Sequence, residues 1–343
     1  MSTVLYRFQN SGNDSFIDFL KGISIVLVVL SHTLPHNLTL FPIWGGSKAV
    51  PIFLAIQIFH AYKKGKPRIP NLKKVFNRVI LPFIIFQCLL IAFLLCAEGD
   101  IARIFKSIIT NGGYGPGSYY IYIYLQFAFI LPFVYKWMGK HKTSTIFYFS
   151  LIISVLLEVI ASYIDLPEAI YRLLAIRYFF LIFFGFLWVR EGVTFGRKEI
   201  FLGIIGFFSV LYFKYYYEPL EPLFFDTLWR TDRWICYFFV MYVFVPLQFI
   251  IWKNINNKIK SIIQFLGTCS FEIFLMQMFF CIVIPRLINM YLDNNITSSL
   301  IKILLIQILS IGGGVLYFKV KTHCLNANKH RLINRDRTIN YIK

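Results

Sequence analysis

The chain has 343 residues, of which 58% are hydrophobic, 19% aromatic and only 15% charged. Soluble domains of this size carry nearer a quarter charged residues, so the composition excludes a water-soluble globular fold and points to a polytopic membrane protein. The formal net charge of +19 sits in short loops between apolar spans, where the positive-inside rule puts it; no nucleic-acid module accompanies it, and nucleic acid is not expected as a partner.

Apolar runs long enough to cross a bilayer, or nearly so, number about ten. They lie near residues 16–34, 49–62, 79–96, 118–135, 146–164, 173–189, 199–216, 234–252, 268–288 and 299–318. The second is short enough to be tilted or partly re-entrant. The N-terminus lacks the apolar region and cleavage site of a secretory signal, so the first span reads as a retained anchor. Lys63, Lys64, Lys66, Arg68, Lys73, Lys74 and Arg78 crowd the second loop, which is therefore cytoplasmic. Lys136, Lys140 and Lys142, then Arg190, Arg197 and Lys198, then Lys253, Lys258 and Lys260 follow in alternate loops. The intervening loops hold Glu98, Asp100, Asp165, Glu168, Glu218, Glu221, Asp226, Asp232 and Asp293. Both termini are thus predicted to be cytoplasmic, which requires an even number of spans.

The expected fold is an all-α integral membrane bundle of about ten transmembrane helices, with one domain over 1–320 and a basic cytoplasmic tail over 321–343. No loop approaches the roughly 50 residues of an independent domain, so any active site lies in the bundle or at its faces. Cys88, Cys96, Cys236, Cys269, Cys281 and Cys324 are scattered through apolar runs, without CxxC pairs or Cys/His clusters. They read as small core hydrophobes, and no metal site is expected.

The first span, FIDFLKGISIVLVVLSH, carries the most chemistry. Lys21 and His32 are 11 residues apart, about three helical turns, so they share a face roughly 16 Å apart along the axis. Asp18 falls close to the same face. Such groups cost about 2.5–3.5 kcal/mol each at the centre of a bilayer, which favours a functional stripe. A membrane histidine can simply bond a neighbouring helix; functionally, a neutral imidazole can take a proton from a hydroxyl. Lys74 and Arg78, in LKKVFNRVILPF, are either topogenic or a cytoplasmic site for phosphates. Glu158, Arg177, Arg233 and Glu272 lie in or beside later spans, where such residues mark substrate pathways or internal ion pairs. On these grounds alone a membrane enzyme and an exporter of polysaccharide remain equally open.

IDFLKGISIVLVVLSH resembles the first-helix signature of the membrane acyltransferase-3 family, in which an aspartate and an arginine precede a histidine. AVPIFLAIQIFHAYKKGK, VFNRVILPFII, GSYYIYIYLQFAFILPFVYK, IRYFFLIFFGFLW and LGTCSFEIFLMQM resemble later family segments in order, so the likeness covers nearly the whole chain. It is greatest to the short stand-alone members that decorate bacterial surface polysaccharides from the cytoplasmic membrane. The resemblance implies transfer of an acetyl or other acyl group from cytoplasmic acyl-CoA, a co-substrate and not a resident cofactor, to a glycan hydroxyl on the far side. It implies His32 as the catalytic base with Asp18 beside it in the signature, and Lys21, Lys74 and Arg78 as donor-binding residues. Three departures stand out: Lys21 replaces an arginine and loses its bidentate fork, the paired arginines of the basic segment are reduced to Arg78 with Lys74 one place out of register, and Gln277 stands where a histidine is frequent.

Overall fold

Backbone polar groups have no water to bond inside a bilayer, so long apolar segments close their hydrogen bonds internally as helices. The computed structural model follows this rule and describes residues 3–6, 14–34, 46–63, 71–99, 101–215, 233–291 and 296–341. Strand β1 (Thr3–Tyr6) is followed by helices α1 (Ser15–Ser31) and α2 (Gly46–Lys63). Helix α3 runs from Leu72–Val75 through a π-helical turn, Phe76–Ile80, into Leu81–Glu98. Then come α4 (Ile101–Asn111), α5 (Tyr120–Met138), α6 (Thr143–Tyr163), the short α7 (Glu168–Leu173) and α8 (Leu181–Arg190). Strand β2 (Val193–Phe195), α9 (Arg197–Tyr215), α10 (Trp234–Asn254), α11 (Asn257–Thr268), α12 (Ser270–Tyr291) and α13 (Ile296–Tyr341) complete the order. Among the described residues six helices, α3, α5, α6, α10, α12 and α13, are long and apolar enough to cross a membrane.

Two expectations change. The sixth apolar run, 173–189, is not one helix: α7 ends at Leu173, a 3₁₀ turn covers Ile176–Tyr178, and α8 contains 10 residues. Buried tertiary contacts hold this break, as shown below. The fold also contains a two-stranded antiparallel ribbon, with Thr3 opposite Phe195 and Val4 opposite Thr194. The second run forms a helix of 18 residues that contains Pro51.

Both π-helical turns have a local cause. Phe76–Ile80 precedes Pro82, and Val240–Phe244 precedes Pro246. A proline ring strikes the carbonyl four residues earlier and offers no N–H, and a wider π turn opens the ladder at that point.

The chain reversals gather the elements at two ends. At one, Tyr62 contacts Met138, Arg190 donates to the His141 carbonyl and Thr143 donates to Glu191. Tyr6 packs there edge-on or tilted against Phe16, Phe249 and Trp252. This end carries Lys63, Lys136, Lys142, Arg190, Arg197 and Lys253, and is called the basic end below. Its tightest contact is between α1 and α11, where a Cβ on Gly22 would overlap the Ile263 carbonyl and one on Gly267 the Asp18 carbonyl. Glycine lets the two backbones touch. Because α11 and α12 run on through Cys269, this crossing also sets the height of α12 beside α1.

The main core is aromatic. Phe147, Phe180, Phe183, Phe184, Phe238 and Tyr242 interlock between α6, α8 and α10 with ring centroids 5.2–6.2 Å apart, within the favourable range for edge and offset pairs. A second cluster joins α1, α2, α3, α5, α12 and α13 around Val28, Ala49, Phe83, Phe274 and Met278. The candidate site lies against this second cluster.

Candidate functional site

Helix α1 is fixed at both ends. Asp14 caps its start, its Oδ1 accepting from the Phe16 and Ile17 amides at 3.1 and 3.3 Å and from the Tyr6 hydroxyl at 3.0 Å. Burial and the Asp14 carboxylate hold the Tyr6 phenol above its ordinary pKa. At the other end Ser31 and Thr33 return their hydroxyls to the Val28, Val29 and Leu30 carbonyls at 2.8–3.1 Å, the local competition that ends helices. His32 is the C-terminal cap, with φ −93° and ψ −5°.

His32 lies deep in the bundle. Its neighbour Thr33 accepts a 2.9 Å hydrogen bond from Gln307 of α13. Gln307 is 10 residues after Thr297 and 17 before Cys324, the limits of the apolar segment, or about 15 and 25 Å from its two ends. The His32 side chain is nevertheless exposed, so it borders open space within the bundle, and no described residue hydrogen-bonds its imidazole.

Asp18 and Lys21 do not meet His32. They pair with each other, Lys21 Nζ lying 2.6 Å from Asp18 Oδ1, about 16 Å or more below the imidazole. Asp18 also lines an open groove of about 290 Å³ at the basic end with Ser15, Ser261, Gln264, Phe265 and Thr268. Lys74 and Arg78 are exposed near the start of α3, one in the turn capped by Asn71 and one in the π turn. Arg78 lies near enough to Tyr124 of α5 for its charge to act on that phenol. The donor residues inferred from sequence therefore stand toward the basic end and the candidate base deeper in the bundle.

Glu158, Arg177 and Arg233 converge at the opposite end. Glu158 and Arg233, 3% and 2% exposed, form an ion pair. Tyr171 donates to Glu158 at 2.7 Å. Arg177 lies over Tyr119 and Tyr178, and its carbonyl accepts from Tyr237 at 2.9 Å. Gln126 completes the arrangement, donating to the Leu173 carbonyl and accepting from the Ala175 amide at 3.0 Å. These contacts satisfy the polar groups freed by the break between α7 and α8, which is why the sixth apolar run does not continue as a helix. Glu272 is elsewhere: it pairs with Lys321 at 2.8 Å and pins α12 to α13.

Sequence reasoning missed the segment between α4 and α5. Gly112, Gly113, Gly115 and Gly117 all have positive φ, and the loop they form enters the bundle. Tyr114 is held by the Gln87 carboxamide in both directions, its amide donating at 2.7 Å and its carbonyl accepting at 2.9 Å. Ser118 donates to the Asn111 and Gly113 carbonyls. A Cβ on Gly115 would strike the Met278 carbonyl, and one on Gly117 the Phe274 ring. Met278 is 11 residues beyond Gly267, which itself touches Asp18 and Gly22, so the loop reaches roughly the level of residue 31, beside His32. The glycine-dense NGGYGPGS was the available signal, but in sequence it reads only as a turn.

No group of three or more His, Cys, Asp and Glu side chains suited to a metal occurs among the described residues. The arrangement is that of an accessible imidazole at depth, an irregular backbone loop at the same depth, and cationic side chains toward one end. Such a site can take a proton from a hydroxyl and hold a ligand whose charged head stays near the basic end. Neither a search of curated proteins nor one of solved structures found a match. A family model described as an acyltransferase domain matches residues 14–319, nearly the whole chain and the entire site, and the chain therefore belongs to the acyltransferase-3 family of membrane acyltransferases.

Proposed function

We propose that the protein is an O-acyltransferase that moves an acetyl group from cytoplasmic acetyl-CoA to a hydroxyl of a cell-surface polysaccharide or its precursor, with His32 as general base. The observation that carries the reading is the exposed imidazole of His32, deep in the bundle and bonded by no described residue. Lys21 on the same helix and Arg78 on α3 lie toward the basic end. A coenzyme A head bound near Lys21, Lys74 and Arg78 would remain outside the apolar layer while its pantetheine arm spans the roughly 16 Å to the imidazole. The acceptor hydroxyl enters from the opposite end, below the cluster of Glu158, Arg177 and Arg233.

In the same reading the chain crosses a bacterial cytoplasmic membrane about ten times, with both termini cytoplasmic. The gathering of Lys63, Lys136, Arg190 and Lys253 at one end supports this orientation.

The test is release of free coenzyme A from acetyl-CoA by the protein purified in detergent, wild type beside His32→Ala. Release that depends on His32 supports both the donor and the base. Full activity in His32→Ala would remove His32 from the mechanism. Neither binding nor release by the wild type would turn the reading toward a polysaccharide exporter.

A further inference from the structure

The glycine loop combines three observations that the structural role of a turn does not account for. First, it places non-helical backbone deep among membrane helices, which is tolerated only where the backbone is buried in protein or lines a cavity. Gly115 and Gly117 are partly accessible rather than sealed in protein. Second, the Gly115 and Gly117 amides have no hydrogen-bond partner among the described residues, whereas the adjacent Gly113 and Tyr114 amides are satisfied by the Ile108 carbonyl and Gln87. Backbone donors away from water are rarely left unpaired. Third, Gln277 is 0% exposed and its Oε1 has no hydrogen-bond partner among the described residues. On α12, Ile273, Met276 and Phe280 adjoin Gly313 and Gly314 of α13, while Phe274 and Met278 adjoin the loop. Gln277 falls on the helix face between those two contacts, flanking the loop at the level of His32. The amides and the carboxamide are separate polar groups at one depth, each without a hydrogen-bond partner among the described residues.

We propose that the Gly115 and Gly117 N–H groups form an oxyanion hole for the acyl carbonyl of the thioester donor, and that Gln277 Oε1 accepts from the amide N–H of its pantetheine arm. The proposal rests on the donor reading above. The acceptor oxygen attacks the thioester carbon and passes its proton to His32. The carbonyl electron pair moves onto oxygen, and the two amides hold the resulting anion. Collapse reforms the carbonyl and breaks the C–S bond, and the departing thiolate recovers the proton from the imidazolium. Gln87 is a positioning residue: by bonding both the amide and the carbonyl of Tyr114, it sets the direction of the donors that follow.

The experiment compares binding of acetyl-CoA with that of S-ethyl-CoA, which keeps the head and arm but replaces the carbonyl with a methylene. It uses wild type, Gln87→Leu and Gln87→Glu. Wild type is expected to bind acetyl-CoA several-fold tighter. Gln87→Leu should bind S-ethyl-CoA as wild type does, lose the preference for the carbonyl, and turn over about 10²-fold more slowly, the scale of a lost oxyanion donor. Gln87→Glu, which keeps the acceptor for the Tyr114 amide, should fall between. Equal binding of the two ligands by wild type would overturn the oxyanion hole and leave the donor reading standing. Retention of the wild-type preference and turnover in Gln87→Leu would also overturn it. Binding of neither ligand by wild type would overturn both proposals. The wild-type comparison needs no variant to fold.

Discussion

The buried pair of Glu158 and Arg233 provides a quantitative test, because its side chains are only 4% and 2% exposed. Solvent screens it little, and removing one partner of such a pair typically costs about 3–5 kcal/mol, since the other charge is left stranded. Glu158→Gln isolates that charge term: a carboxamide oxygen can still accept from Tyr171, which now bonds Glu158 at 2.7 Å. Arg233 keeps its place over the Phe213 ring, 5.3 Å from the centroid, a contact worth about 0.5–2 kcal/mol. The net loss should therefore be about 2–4 kcal/mol, or roughly 30- to 1000-fold in the folding equilibrium. The assay is chemical unfolding in micelles, followed by tryptophan fluorescence, for Glu158→Gln, Arg233→Met and the double variant Glu158→Leu with Arg233→Met. The double variant should recover most of the loss, because neither member of the pair remains charged. Wild-type stability in Glu158→Gln, or a double variant as unstable as the sum of the single ones, would refute the reasoning. Acyl transfer by the stable double variant then assigns the pair: activity retained means it serves the broken sixth span, and activity lost means it serves the acceptor.

His32→Ala should lower turnover by about 10²- to 10⁴-fold while leaving unfolding within about 0.5 kcal/mol of wild type, because the imidazole is exposed and bonds no described residue; thiol release and denaturation read the two effects separately. Lys21→Ala should cost no more than about 1 kcal/mol, as expected for a partly exposed pair, but raise the KM for acetyl-CoA, and Lys21→Arg should restore it. Gly22→Ala and Gly267→Ala should each destabilise by about 1–3 kcal/mol or more through overpacking, because the added methyl meets backbone carbonyls across the α1–α11 crossing; unchanged unfolding in either would deny that close contact.

The membrane class and most helix positions were legible in the sequence because they depend on local quantities. Hydropathy over a span-length window located α5, α6, α10 and α12 within a few residues and the apolar parts of α3 and α13, which run on to Leu72 and Tyr341. The alignment of Lys21 with His32 follows from helical geometry alone, and the order of motifs marked the family that the match over 14–319 establishes. The partners of these residues were not legible, because they are set by contacts between distant segments. Nothing near Glu158 in sequence indicates Arg233, 75 residues away, or Tyr171. The sixth apolar run is hydrophobic enough to read as a span, yet Gln126, Tyr237 and the buried arginines hold its backbone open. Likewise NGGYGPGS announces positive φ but not a destination: Gln87, Phe274 and Met278 bring it down to the level of His32. Local composition thus determined which segments are long and apolar enough to cross a membrane, and tertiary packing decided which polar groups meet among them, since a buried donor or acceptor is placed by whichever neighbour can satisfy it.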